Sequence, residues 1–215
     1  MAMLKSKIFP VLFFLFAPVV LVAQTAESTP ASPYVFNSFV KSTVLQKNGG
    51  KVSALLNYNT ITQEMMFDQS GSRIVMDQGE TDTIYLQNRR FIPVKGIYLE
   101  KLTNTPAALY VQNKNKAVAV AKGDKANEVL SDIYKKKTVE KVDPYALTLP
   151  ESFRLLNDSK YWLHRGKEFL PMVSLKKIPS LFPGKESDVA KFIEEHKISL
   201  TSREDMIKLT EFGNQ

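Results

Sequence analysis

The feature that most constrains the fold is a series of short segments, between residues 51 and 121, in which apolar and polar residues alternate. In the first segment, KVSALLNY (51–58), four apolar residues share one face at a period of two: Val52, Ala54, Leu56 and Tyr58. Similar segments follow: EMMFD (64–68), SRIVMDQ (72–78), IYLQ (84–87), RFIPV (90–94), GIYLEKLT (96–103), AALYVQN (107–113) and KAVAVA (116–121). Turn signals every 8–12 residues or so are typical of an antiparallel meander or sandwich. Pro93 inside one segment predicts an edge strand or a bulge.

The apolar period changes near the C-terminus. In SDVAKFIEEHK (187–197), apolar residues recur at helical spacing and Ser187 is a candidate N-cap. TSREDMIKLTEF (201–212) opens with Thr201 and Glu204 at capping-box spacing. The sequence therefore predicts an α+β fold, mostly antiparallel β meander, followed by two C-terminal helices. A short helix at ANEVLSDIY (126–134) is a further prediction.

One phrase occurs twice, as DTIYLQNRRFIP (82–93) and DSKYWLHRGKEFLP (158–171). Each copy predicts a β-hairpin, with a loop longer by two residues in the second. Two interpretations stay open: a duplicated hairpin unit, or coincidence among common strand residues. Basic residues lie where the turns are predicted. If both tips are exposed, they form a candidate ligand-binding set that grips an anion: Arg89, Arg90, Arg165 and Lys167. The alternative is an ordinary charged surface.

The N-terminus predicts export. Lys5 and Lys7 precede fifteen apolar residues (8–22) and Ala23, which is the layout of a secretory signal peptide at 1–23. This apolar run spans about 22 Å as a helix, less than a bilayer core of roughly 30 Å. No later segment is predicted to cross a membrane.

We further predict a flexible tether at 24–33, a β-rich region at 34–121, an irregular connection at 122–150, and the second hairpin with the helical pair at 151–215. These form one domain or two small ones.

Composition limits the chemistry available to the chain. It contains no cysteine, so it has no disulfides and its core must hold the fold. The formal charge is +7, and cleavage of the signal peptide leaves +5. A basic balance favours an anionic envelope component or another envelope protein as partner, and no nucleic acid is expected.

Asp82-Thr83-Ile84 matches the Asp-Ser/Thr-aliphatic pattern that some Gram-negative bacteria O-glycosylate, which makes an exposed Thr83 a candidate modification site.

Catalytic motifs are missing from the sequence. The two histidines, His164 and His196, have no metal-ligand spacing, and GxSxG, HExxH, P-loop and GxGxxG patterns do not occur. We therefore predict no cofactor and no metal and favour a non-enzymatic protein. An enzyme with dispersed catalytic residues stays open.

Three stretches resemble a family of secreted proteins of Gram-negative bacteria: LLNYNTITQEMMF (55–67), IYLQNRRFIPV (84–94) and LFPGKESDVAKFIEEHKISLTSREDMIKL (181–209). The resemblance runs through most of the mature chain. It implies a secreted or envelope location and no named activity. His196 stands where that family usually has Asn, which argues against a shared catalytic histidine.

Three functional hypotheses follow. A periplasmic or extracellular protein that binds a ligand, such as a lipid, or a protein partner predicts an apolar cavity. A hydrolase of envelope polymers predicts converging acids or a His164–carboxylate pair. A structural or adhesion subunit predicts an exposed apolar patch or edge strand.

Overall fold

The computed structural model describes residues 31–119 and 143–215. It contains twelve strands: β1 (Val40–Gln46), β2 (Lys51–Asn59), β3 (Glu64–Gln69), β4 (Ser72–Val75), β5 (Thr81–Leu86), β6 (Arg89–Val94), β7 (Ile97–Lys101), β8 (Ala108–Gln112), β9 (Asn115–Ala119), β10 (Phe153–Asn157), β11 (Lys160–Arg165) and β12 (Glu168–Pro171). Ten form one antiparallel sheet in the order β12-β11-β8-β7-β6-β5-β1-β2-β3-β4. A 3-10 turn (Pro179–Leu181) leads to helices α1 (Glu186–Glu195) and α2 (Arg203–Gly213). The predicted α+β fold is confirmed.

The remaining pair, β9 and β10, continues the ribbon formed by β8 and β11. Gln112 faces Lys160 at the end of one pair, and Asn115 faces Asn157 at the start of the next. Asp158 lies at the junction and forms ion pairs with Lys114 at 3.3 Å and Lys116 at 3.2 Å. The ladder is therefore interrupted at one point between two paired segments.

One half of the sheet curls so that its strands pack on each other. Tyr58 of β2 stacks on Phe91 of β6 at 5.3 Å between ring centroids and meets Tyr98 of β7 edge-on at 6.4 Å. These rings belong to one buried cluster: Val44, Leu56, Tyr58, Met65, Ile84, Leu86, Phe91 and Tyr98. The predicted apolar face of β2 is thus buried at Leu56 and Tyr58, whereas Val52 stays 47% exposed.

The other half of the sheet carries the two helices on one face. Leu109 and Leu163 of the sheet pack with Met206 and Leu209 of α2 and with Val189 of α1. A Cβ added to Gly213 would lie 2.5 Å from the Phe182 ring, so the end of α2 approaches that ring more closely than another residue allows.

Both predicted helices form, but each predicted cap is displaced. Ser187 lies inside the first turn of α1, whose N-cap position is Lys185 without a side-chain cap. The N-cap of α2 is Ser202, which has extended backbone geometry and accepts a hydrogen bond from the Asp205 backbone N–H. Thr201 instead bonds the Ser199 hydroxyl at 2.9 Å.

Two buried amides of β2 hold two segments that lie outside the strands, one before β1 and one before β10. The Asn57 side chain donates to the carbonyls of Phe36 at 2.7 Å and Ser38 at 3.0 Å. Asn59 donates to the Pro144 carbonyl at 2.7 Å. Residues 31–33, at the end of the predicted tether, also bond to this region through the Pro33 carbonyl.

The predicted segments correspond to β2–β9 with shifted ends, and β1 and β10 were not predicted. Pro93 lies in β6, inside the sheet order. The pairing of β6 with β5 ends at Phe91, so β6 is locally an edge where Pro93 lacks an N–H. Residues 143–150 contain neither helix nor strand. The predicted signal peptide, most of the tether, the helix at 126–134 and the rest of the connection from 120 to 142 lie outside the described residues.

Candidate functional site

A pocket opens on the face of the sheet opposite the helices. Leu99, Ala108 and Tyr110 are buried on this face, although no helix covers them. The pocket has a volume of about 380 Å³, which is within the range of small-molecule sites. We call it the tryptophan pocket; it is lined by Val94, Lys95, Ile97, Leu99, Trp162, Lys167, Glu168, Phe169 and Leu170.

Two hairpin turns lie beside the tryptophan pocket. The β6–β7 turn is Lys95–Gly96, where both residues have positive φ (50° and 83°), as a two-residue type I′ turn requires. The β11–β12 turn is Gly166–Lys167, with Gly166 at φ 62°. Both turns contribute an exposed lysine to the pocket lining, and Glu168 contributes a carboxylate. The charged groups of the lining are therefore two cations and one anion.

Trp162 is the most distinctive residue of the pocket. It is the single tryptophan of the chain. Its indole N–H is buried and has no hydrogen-bond partner within the described structure. An unpaired buried donor costs roughly 1–3 kcal/mol, and a ligand acceptor within reach would remove that cost.

Neither histidine forms a catalytic arrangement in the described regions. The His164 ring stacks on Phe169 at 4.4 Å and meets Tyr110 edge-on at 5.8 Å. The His196 ring stacks on Phe192 at 4.0 Å. The His164–carboxylate pair that a hydrolase predicts is not found among residues 31–119 and 143–215, which also hold no group of three or more His, Asp or Glu placed to bind a metal.

The structure does not bring the four predicted binding residues together. The tips of the two repeated hairpins are Gln87–Asn88 and Gly166–Lys167, each of two residues, so the prediction of a longer second loop is wrong. Arg89, Arg90 and Arg165 lie in strands instead. Since neighbouring strand residues point to opposite faces, Arg89 and Arg90 separate.

Each of the four has a different environment. Arg89 is directed to Glu100, with its Nε 2.8 Å from the carboxylate, so its prediction at an exposed tip is wrong. Arg90 lies over the Tyr85 ring at 5.9 Å. Arg165 donates to the Leu181 carbonyl at 2.9 Å. Of the four, only Lys167 lines the tryptophan pocket, where it is joined by Lys95.

Glu100 is the centre of a buried ionic network. It is 2% exposed and accepts hydrogen bonds from Arg89, from Arg203 of α2 at 3.2 Å and from the Asn113 amide at 2.8 Å. Burial alone would raise the pKa of Glu100, but the two guanidinium groups outweigh it and hold that pKa below its usual value. The network joins β6, β7 and α2, and donors from the protein alone satisfy the Glu100 carboxylate.

Thr83 does not meet the condition for modification. Its side chain is 2% exposed, and its hydroxyl donates to the Asp82 carboxylate at 2.9 Å. Because Thr83 is buried, the structure does not provide the exposure that O-glycosylation at this residue would require.

The sequence contained a signal for Lys95, a pocket residue that the sequence analysis did not identify. Lys95-Gly96 stands between two alternating segments, which is the spacing of a two-residue hairpin. The proximity of this turn to Trp162 depends on the curvature of the sheet, and no local sequence pattern indicates it.

No family model, curated protein or solved structure matches the chain. Neither of the two helices in the part of the chain that the structure describes is long and apolar enough to cross a membrane.

Proposed function

We propose that the protein binds an anionic amphiphile in the tryptophan pocket and acts without catalysis. The ligand would carry an apolar chain or ring together with a carboxylate or phosphate. The observation that carries the proposal is the pocket itself: an apolar floor at Leu99 and Trp162, with Lys95 and Lys167 among its lining residues. Export of the chain, as its first 23 residues predict, would place this pocket among envelope lipids and their breakdown products.

The apolar floor and the two lysines contribute differently to the free energy of binding. Each buried methylene of a ligand contributes about 0.8 kcal/mol, so a chain of six to eight carbons gives measurable affinity after the cost of association. The lysines are exposed. Each therefore adds roughly 1 kcal/mol or less and serves mainly to select the charge of the head group.

The test uses Trp162 as the reporter. Because the chain has a single tryptophan, a change in its emission on titration arises at the pocket. We expect decanoate to shift and saturate this emission. Decanol should bind more weakly, and decyltrimethylammonium more weakly still, because the lining has an excess of cations. Equal binding of all three would contradict the proposal, as would no change with decanoate.

Matched variants separate the pocket from general surface charge. The double variant Lys95→Gln/Lys167→Gln should raise the Kd for decanoate about tenfold. Lys51→Gln removes an exposed lysine that does not line the pocket and should leave the Kd unchanged. If Lys51→Gln weakens binding as much as the double variant, the effect is one of net charge.

A second candidate function is assembly through β4. This strand ends the sheet order, and Ile74 and Val75 are 38% and 45% exposed. The opposite edge strand, β12, ends in Pro171, which cannot donate to a ladder. If copies pair through β4, sedimentation velocity will show a concentration-dependent dimer that Ile74→Lys abolishes. A monomer at all concentrations would exclude self-pairing.

A further inference from the structure

One row of side chains crosses the helix-free face from strand to strand. The registers place these residues side by side, in the order Thr43, Tyr85, Arg90, Lys101, Tyr110 and Trp162. Directly opposed residues in neighbouring strands share a face, with Cβ atoms about 4.5–5.5 Å apart. Arg90 and Lys101 therefore stand together on this face, between two tyrosines and one strand from Trp162.

This pair of cations is not neutralised. Neither Arg90 nor Lys101 has an ion-pair partner in the described structure. The other residues that β5–β8 and β11 direct to this face include no carboxylate. Glu100 points to the opposite face, where Arg89 and Arg203 already bind it. Like charges placed directly opposite each other destabilise a sheet, so the arrangement favours a bound anion.

The registers place three hydrogen-bond donors side by side on this face. Arg90 lies over the Tyr85 ring at 5.9 Å, which restrains its guanidinium fork. Burial raises the pKa of Tyr110, and the charge of Arg90 opposes that rise, so Arg90 acts on the phenol group. The Tyr110 hydroxyl has no hydrogen-bond partner among residues 31–119 and 143–215. A guanidinium, an ammonium and a phenol hydroxyl thus lie on three neighbouring strands of one face.

We infer that Arg90, Lys101 and Tyr110 form a binding site for a tetrahedral oxyanion of the phosphate or sulfate class, free or carried by a larger molecule. A guanidinium fork matches two oxygens of such a group, and a second cation matches its double charge. The inference does not rest on the proposed function, since these residues are not part of the tryptophan pocket lining and the cation pair exists without it.

The first test is thermal unfolding of the full mature chain in inorganic phosphate at constant ionic strength. We expect a saturable rise in Tm, roughly 3–5 °C at ten times the Kd. Arg90→Gln/Lys101→Gln should lose the saturable part and keep only the gradual salt effect. Lys95→Gln/Lys167→Gln should keep it, which separates this site from the pocket. An equal saturable rise in wild type and Arg90→Gln/Lys101→Gln would overturn the inference.

A second measurement needs no ligand. In phosphate-free buffer of low ionic strength, Lys101→Gln should raise Tm by about 1–3 °C, because it removes the repulsion with Arg90. Lys51→Gln is the control and should change Tm by less than 1 °C or so. A decrease in Tm for Lys101→Gln of the same size would show that the two cations do not repel each other.

The source of the anion can then be assigned. Flotation with phosphatidylcholine vesicles containing phosphatidylglycerol tests a lipid phosphate, and inorganic phosphate tests a free ion. Loss of both signals in Arg90→Gln/Lys101→Gln identifies a head-group site, and loss of the phosphate signal alone identifies a site for soluble oxyanions. Retention of both signals would refute the site.

Discussion

Glu100 keeps a charge in a position that is 2% exposed. It does so because Arg89 and Arg203 donate to it from two sides and Asn113 supplies a third hydrogen bond. Removing one partner from such a network costs roughly 3–5 kcal/mol, since the remaining charges stay buried. We expect Glu100→Gln to lose about 3 kcal/mol in urea unfolding. Glu195→Gln, which removes an exposed pair with Lys191, should lose less than about 0.5 kcal/mol.

The same residue predicts an acid dependence. The folded state holds the pKa of Glu100 below the value near 4.5 of a free side chain. The unfolded chain therefore binds the proton more readily, and the contribution of Glu100 to stability is complete above pH 4.5 and is lost as pH falls through the folded pKa. The stability difference between wild type and Glu100→Gln should shrink as pH drops below 4.5, measured by urea unfolding. A constant difference down to pH 2 would contradict this assignment.

The two adjacent arginines show how far the sequence predicts the environment of a single residue. Arg89 and Arg90 are adjacent and were assigned one role, yet alternation in β6 sends one to Glu100 and the other over Tyr85. The face that each would take depended on where the turn began. Gln87–Asn88 forms the turn two residues earlier than the charge pattern indicated.

At the scale of elements, the Lys95–Gly96 turn both shapes the sheet and supplies a pocket lysine. Lys95 has φ 50°, a left-handed conformation that Asn tolerates better than Lys. Lys95→Asn should therefore keep or raise Tm, by about 1–2 °C, while it weakens decanoate binding about threefold. Binding and folding would move in opposite directions, which a damaged fold cannot produce.

Lys197, just after α1, gives a matched control for this variant. It is also a lysine with positive φ, at 49°, and it does not line the tryptophan pocket. Lys197→Asn should raise Tm by a similar amount and leave the Kd for decanoate unchanged. Loss of binding in Lys197→Asn would mean that the turn variant acts through the whole fold.

Elements with a strong pattern were predictable and weaker ones were not. The alternating β2 and the helical spacing of α1 and α2 gave correct assignments because their apolar faces are buried. VKSTVLQ, which forms β1, buries the polar Ser42 beside Val44 and so lacks clean alternation. The two copies of the repeated phrase both form hairpins. Their matching tyrosines differ in burial, however, because Tyr85 is 42% exposed and Tyr161 only 4%.

At the scale of the molecule, both cores lie against one face of the sheet, and the opposite face is left for binding. Strand order was beyond the sequence because pairs such as β8 with β11 join residues some fifty positions apart. The tryptophan pocket depends on that pairing, since Leu99 and Trp162 come from strands that meet only through β8.

The two cores are linked through Glu100, which connects β6 and β7 of the curled half with α2 of the helical half. Because β7 and β8 also pair directly, we expect the described regions to unfold as one unit. Trp162 emission and helical circular dichroism at 222 nm should give the same urea midpoint. Met206→Ala, in the helical core, should shift both midpoints equally and cost about 2–5 kcal/mol.

If the helical signal were lost first while Trp162 emission stayed native, the helices would be a separable layer. In that case decanoate binding in Met206→Ala would persist until the sheet itself unfolds, because the pocket lies on the face opposite the helices.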